Sequence, residues 1–438
     1  MFRTRPWAAI ALAAGVALAP SASASDTASP GFQLANAPSP NFLAATCTLA
    51  SGESVTFDGL QVVLWSPTGA FERLLATLPA FTYASFVRET PDHLAVVFAE
   101  SGDGSGLGGN VYRALLDGSS SITLTALVFP YDAAFLPNGE LIVTAATQGF
   151  NAGNDFALVG PTPAPAVLIG HVDGNSGPIA VARNGDVYYV TEAAGFSPPP
   201  GSSDVLRWTY ANVLAHGPLD TTNAITVATG FDGASSIAFS PVKGKLHIAE
   251  NNYALNEHHI WRVGTSKATS KLIVTSTDFI SSLRFANAGG DATFDAYQPD
   301  SGERLLYSVS DYFAYDDIVT VTPKRPVLSV AGPGVLGTGN VTLTVDGGVP
   351  NGSALLTYCT QSAIAPIESA IQFPKFLHHT PFSLSQTVRF TFLLPSDANG
   401  TTNVTFYNPG GLTGLFGYQF LVGNAGGTLI GSSNAVQF

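Results

Sequence analysis

A pattern of three or four short strands recurs five times at a period in the forties, and a different strand pattern follows a proline-marked break. Only 11% of the 438 residues are charged, against about 25% in an ordinary soluble protein. These three observations predict an all-β chain: a six-bladed β-propeller followed by a C-terminal β-sandwich. The 45% apolar content is enough to drive folding, which argues against disorder. The 45 glycines and 29 prolines, with Val, Thr, Phe and Tyr abundant, argue against helical bundles and coiled coils.

The chain opens with Met-Phe-Arg-Thr-Arg, an apolar run of 12 residues from Trp7 to Leu18, and Ala22-Ser23-Ala24. A basic start, a short apolar run and a small-residue cleavage site predict a secretory signal peptide over residues 1–24. The run is too short to cross a bilayer, which needs about 20 residues. Loss of Arg3 and Arg5 takes the formal charge from −13 to −15. Such a surface disfavours nucleic acid and anionic membranes, and suits cations and neutral or positive ligands. Cys47 and Cys359 make an even pair in an exported chain, so either a disulfide or two buried thiols is expected.

The propeller is expected over residues 25–323, with clear blades over 83–323 and an N-terminal blade at about 42–77. The first strands of the five repeats end at Phe86, Phe135, Val181, Phe239 and Phe285, giving spacings of 49, 46, 58 and 46. The long interval carries an insertion around Ser197-Pro198-Pro199-Pro200-Gly201. Second strands follow turns such as Pro137-Asn138-Gly139 and Arg183-Asn184-Gly185. Four short strands per repeat, none able to bury both faces alone, must stack around an axis. The hairpin Leu60 to Trp65 and Phe71 to Ala76 reads as the outer half of a sixth blade. Phe42 to Phe57 then supplies that blade's inner strands, or pairs with the last blade to close the ring. The last repeat shows no fourth strand before Pro323. After Thr322-Pro323-Lys324-Arg325-Pro326, about seven short strands separated by Gly- and Asn-rich turns predict the sandwich over 324–438.

The segments Ser236-Ile237-Ala238-Phe239-Ser240-Pro241, Lys245 to Glu250 and His259 to Val263 resemble blades of NHL-type and gluconolactonase/regucalcin-type propellers. Leu393-Leu394-Pro395, Tyr418-Gln419-Phe420 and Ser433 to Val436 resemble a sandwich module found at the ends of exported bacterial proteins. The lactonase resemblance implies one divalent metal held by Glu, Asn and Asp at the channel top. Its Asn positions hold Ser235-Ser236 and Gly177-Pro178 here, while its Asp position corresponds to Glu250.

Glu100, Glu192 and Glu250 end equivalent strands in three repeats and are candidate ligands for Ca²⁺ or another divalent cation. Carboxylates repeated at strand ends serve equally well to hold backbone amides of a neighbouring loop. Asn251 and Asn252, beside Glu250, and Tyr253 and Tyr312, on strand-connecting loops, are candidate ligand-binding residues. No nucleophile elbow, zinc spacing or phosphate loop occurs, so no catalytic residue is assigned. The function expected is a secreted binding or scaffold protein recognising an extracellular protein or carbohydrate through its loop face. The alternative is a metal-dependent lactonase or related hydrolase.

Overall fold

The computed structural model describes residues 26–29, 32–38, 45–66, 70–102, 108–149, 153–195, 198–240, 244–252, 254–287, 290–291, 304–310, 317–323, 327–332, 338–346, 351–360, 389–398, 400–408, 416–423, 429–432 and 436–437. The expected signal peptide, Tyr253 and Tyr312 lie outside these residues. The protein is nearly all β, and several of its sheets are the four-stranded antiparallel units of a propeller.

Sheet 1 runs Ala45–Thr48, Ser54–Phe57, Gln61–Trp65 and Phe71–Thr77 from the inside outward. Sheet 2 runs Ala84–Glu89, Ala95–Glu100, Asn110–Leu115 and Ser121–Ala126. Sheet 3 runs Pro130–Phe135, Leu141–Ala146, Asn154–Val159 and Val167–Val172. Sheet 4 runs Ile179–Val181, Val187–Val190, Ser203–Trp208 and Ile225–Phe231. Sheet 5 runs Gly233–Phe239, Leu246–Asn252, Glu257–Arg262 and Lys271–Ser276. In sheet 6, Phe279–Asn287, Arg304–Ser310 and Asp317–Pro323 pair in that order. Each innermost strand packs beside the next, and that of sheet 6 returns to that of sheet 1.

The missing fourth strand of sheet 6 comes from the N-terminal segment. Phe32–Pro38 pairs antiparallel with Asp317–Pro323 in unbroken register, from Phe32 opposite Pro323 to Pro38 opposite Asp317. Phe42 to Phe57 therefore has one of its two expected roles: Ala45–Thr48 and Ser54–Phe57 are the inner strands of sheet 1. A second N-terminal strand, Thr27–Ala28, adds to the outer edge of sheet 5. The long repeat interval has a second cause besides the Pro-rich insertion. A short helix, Tyr210–Leu214, capped by Thr209, sits between the outer strands of sheet 4. Both Asn-Gly turns read from sequence occur where expected, with Gly139 and Gly185 at φ +87°, a conformation glycine adopts without strain.

The core lies between sheets rather than in one centre. Phe57, Val62 and Leu64 of sheet 1 pack with Val96 and Phe98 of sheet 2, and Phe57 and Phe98 meet edge-on at 5.0 Å. Phe156 of sheet 3 packs edge-on against Tyr189 and Trp208 of sheet 4 at 5.0 and 5.1 Å. Beyond Pro323, Val327–Ala331, Gly339–Asp346 and Thr402–Asn408 form one sheet. Arg389–Pro395, Ser353–Thr360, Phe416–Gly423 and Leu429–Ser432 form another, with Val436–Gln437 also on Phe416–Gly423. Leu328, Val341, Leu343 and Val345 from the first share a core with Ala354, Leu356 and Val422 from the second.

Leu34 leans on the core that includes Val319 and Val321, so the closing strand is held by packing as well as by its ladder. Leu34→Asp is expected to destabilise the protein by about 2–4 kcal/mol. Urea unfolding followed by Trp fluorescence measures this, and a midpoint equal to wild type would remove the closing role from this strand.

Candidate functional site

The innermost strands give the channel two unlike ends. Antiparallel register sets Ala84 opposite Glu100 and Ala234 opposite Glu250, so these glutamates lie where innermost strands begin. Innermost strands do not ladder with one another, which leaves backbone groups at each seam for side chains to satisfy. Asp132 accepts from the Ile179 amide of sheet 4 at 3.0 Å. Glu89 accepts from the Ala50 amide at 2.8 Å.

The predicted metal ligands are part of this bonding. Glu100 accepts from the Gly102 amide at 2.5 Å and from Asn110 Nδ2 at 2.7 Å. Glu192 reaches sheet 5, accepting from the Ala234 amide at 2.5 Å and from the Ser203 hydroxyl at 3.4 Å. Glu250 accepts from the Asp232 amide at 2.6 Å, from Trp261 Nε1 at 2.6 Å and from Lys267 Nζ at 2.8 Å. Lys267 also pairs with Asp232 at 2.9 Å. Two glutamates thus grip alternate amides at the start of one strand, on either side of Gly233. Asn251 clamps Ile280 of sheet 6, donating to its carbonyl at 3.1 Å and accepting from its amide at 3.0 Å. Asn252 donates to Asp232 Oδ2 at 2.8 Å and accepts from the Leu255 amide at 3.0 Å.

These residues do not fit the metal that the lactonase resemblance implies. Among the described residues no three His, Cys, Asp or Glu side chains are grouped to hold an ion. The oxygens that would bind it face amides, an indole and an ammonium instead. Cys47 is buried on the innermost strand of sheet 1, whereas the side chain of Cys359, and so the bond between them, lies outside the described residues.

Burial pushes the Glu192 carboxyl up to about 8, the Ala234 amide and Ser203 hydroxyl only partly opposing it. Burial acts the same way on Glu250, but His259, the Asp232 amide, Lys267 and Trp261 together bring it down to about 2. His259 Nδ1 stands 3.6 Å from Glu250, beyond ordinary hydrogen-bond distance. His259, Lys267 and Trp261 beside one carboxyl, against a single hydroxyl beside the other, separate two otherwise similar groups.

Tyr131 reaches across the channel from sheet 3 to donate to the Ser235 carbonyl of sheet 5 at 3.4 Å, narrowing the end where strands begin. The open space is at the other end. A cavity of about 630 Å³ is ringed by all six innermost strands near their finishing ends, from Thr46 and Cys47 round to Leu283 and Phe285. Phe135, Tyr188, Phe239 and Phe285 supply aromatic surface, and Tyr188 meets Phe239 edge-on at 4.9 Å. Arg88, Arg183 and Arg284 also line it. Arg88 is fixed by Asp132 at 2.5 Å and by the carbonyl of Ala133 at 2.9 Å. Arg284 donates to the Thr46 hydroxyl across the seam between sheets 6 and 1. Sequence reasoning passed over these arginines. The available signal was a cation inside an otherwise apolar innermost strand, as in Ser282-Leu283-Arg284-Phe285.

No protein-family model matches the chain, and no curated protein matches it. Solved structures similar to it include the PQQ domain of a pyranose dehydrogenase from Coprinopsis cinerea, at 8% identity over 67% of this chain and 96% of that one, with a TM-score of 0.48. A PQQ-bound aldose sugar dehydrogenase from Streptomyces coelicolor matches at 13% identity over 68% and 99%, with a TM-score of 0.47. A gluconolactonase from Xanthomonas campestris matches at 14% identity over 66% and 89%, with a TM-score of 0.45. At identities and TM-scores this low, the fold rests on the sheet order above and no chemistry follows from these matches.

The two glutamates give opposite pH signatures. Glu250 falls from an ordinary 4.5 to about 2 on folding, so its stabilisation is present above pH 4.5 and is lost as pH drops toward 2. Glu192 rises from 4.5 to about 8, so its contribution is present below pH 4.5 and is lost as pH climbs through 8. Glu192→Gln should flatten the alkaline side of a stability–pH profile, and Glu250→Gln the acid side. Glu250→Gln should also cost about 2–3 kcal/mol near neutrality. Ca²⁺ titration by calorimetry should give no saturable heat, and EDTA should leave the melting temperature unchanged.

Proposed function

We propose that this chain is a small-molecule-binding protein whose site is the cavity at the finishing ends of its innermost strands. The observation that carries this reading is the cavity itself: about 630 Å³, walled by every sheet of the ring, with aromatic and guanidinium groups on one lining. Pockets that hold small organic ligands have this size and this mixture of apolar wall and few polar groups. Lining residues on laddered strands are held stiffly, so the site is preformed.

The finer architecture belongs to the same proposal: a six-bladed propeller ending near Pro323, followed by a two-sheet sandwich. Export is supported by the N-terminal sequence, which places the ligand outside the cytoplasm. The acidic net charge supports a partner other than nucleic acid. A metal-dependent lactonase would need oxygen ligands beyond Glu100, Glu192 and Glu250, whose oxygens already bond within the protein.

Ala182 lines the cavity beside the exposed turn Arg183-Asn184, so Ala182→Trp should block the mouth. A thermal-shift screen against sugars, aromatic alcohols and small carboxylates should find compounds that raise the wild-type melting temperature. Those compounds should have no effect on Ala182→Trp, folded by circular dichroism. No stabiliser across the library, or equal stabilisation of the blocked variant, would overturn the assignment.

A further inference from the structure

The polar side chains on the cavity lining are largely engaged within the protein. Arg88 bonds through all three nitrogens: Nε to the Ala133 carbonyl at 2.9 Å, Nη1 to the Val87 carbonyl at 2.8 Å and Nη2 to Asp132 at 2.5 Å. Glu89 holds the Ala50 amide with one oxygen at 2.8 Å and His93 Nδ1 with the other at 2.9 Å. Arg284 donates to the Thr46 hydroxyl, and Arg183, Ser240 and Arg284 have further interactions within the protein. Ser236 donates to the Leu283 carbonyl at 3.3 Å, and Ser282 to the Ser308 hydroxyl at 2.9 Å.

Tyr188 is the exception inside the rim. It is half-buried on the lining and its ring meets Phe239 edge-on at 4.9 Å, but among the described residues its hydroxyl has no hydrogen-bond partner. A phenol can donate one hydrogen bond and accept others. Around it the wall is apolar, with the rings of Phe135, Phe239 and Phe285 and the side chains of Ile179 and Ile237. A ligand covered in hydroxyls would leave its bonds to water and find few replacements there. Charge is served no better. An anion approaches a chain of formal charge −13, and a cation meets Arg88, Arg183 and Arg284 on the lining.

We propose that the cavity takes a neutral aromatic molecule with one hydroxyl or carbonyl group, its rings against the phenylalanine wall and its polar group bonded to the Tyr188 hydroxyl. This rests on the cavity reading above and adds the chemical class of the ligand and the residue that selects it. A volume of about 630 Å³ has room for a fused two-ring body.

Calorimetry with naphthalene probes tests the proposal. Naphthalene-2-methanol should bind the wild-type protein roughly tenfold or more tightly than 2-naphthoate, which has the same rings and a charge. It should exceed maltose, which carries many hydroxyls and no aromatic ring, by a similar factor. Tyr188→Phe should weaken naphthalene-2-methanol about fivefold, the worth of one neutral hydrogen bond, and leave 2-methylnaphthalene unchanged. That unchanged affinity also shows the wall of the variant to be intact. If 2-naphthoate or maltose binds as tightly as the alcohol and loses its binding in Ala182→Trp, the neutral aromatic class is overturned and the cavity reading stands. Equal affinity of wild type and Tyr188→Phe for the alcohol would overturn the role of Tyr188. Absence of binding by every naphthalene probe would overturn the ligand class, and the cavity reading falls with it only where the wider thermal-shift screen also finds no stabiliser. The wild-type comparisons decide the class even where Tyr188→Phe does not fold.

Discussion

Closure of the ring is the constraint on which the rest depends. Sheet 6 obtains its outer strand from Phe32–Pro38, which lies nearly the whole ring away in sequence from its partner Asp317–Pro323. Without it, Asp317–Pro323 would present an unpaired edge, and the seam between sheets 6 and 1 would rest on contacts such as the bond from Arg284 to Thr46. The cavity exists only in the closed ring, since Thr46 and Arg284 lie on opposite sides of that seam. Bringing such distant segments together costs loop entropy that grows only slowly with length, so a seven-residue ladder with its packed Leu34 suffices.

A second regularity follows from the first. Innermost strands standing side by side without a ladder leave amides and carbonyls at each seam, and short polar side chains take them up. Glu89 does so between sheets 2 and 1, Asp132 between 3 and 4, Glu192 between 4 and 5, and Asn251 between 5 and 6. This is the physical reason for polar residues on and beside the inner strands of an otherwise apolar repeat. A buried amide without a partner would cost about as much as a lost hydrogen bond.

The same bonding separates the two ends of the channel. Where strands begin, carboxylates turn inward to the protein and Tyr131 crosses the opening. Where strands finish, aromatic rings and guanidinium groups face open volume. Glu100, Glu192 and Glu250 stood out in the sequence because repetition aligned them. Repetition reports an equivalent place in the blade, and that place here is a backbone bond.

The sequence by itself determined the class of fold, the strands of the repeats, their Asn-Gly turns and the change of pattern after Pro323. Those features are local: strand alternation, glycine turns and proline breaks act over a few residues. It did not show that Phe32–Pro38 completes sheet 6, that Val167–Val172 is the outer strand of sheet 3, or that Tyr210–Leu214 is helical. Nor did it show which partner each charge would meet. Lys267 lies 17 residues from Glu250, and Arg284 lies 238 residues from Thr46. Pairing at those separations is decided by how sheets stack around the axis, because only stacking brings the innermost strands together. Which end of the channel stays open is therefore a property of the tertiary structure alone.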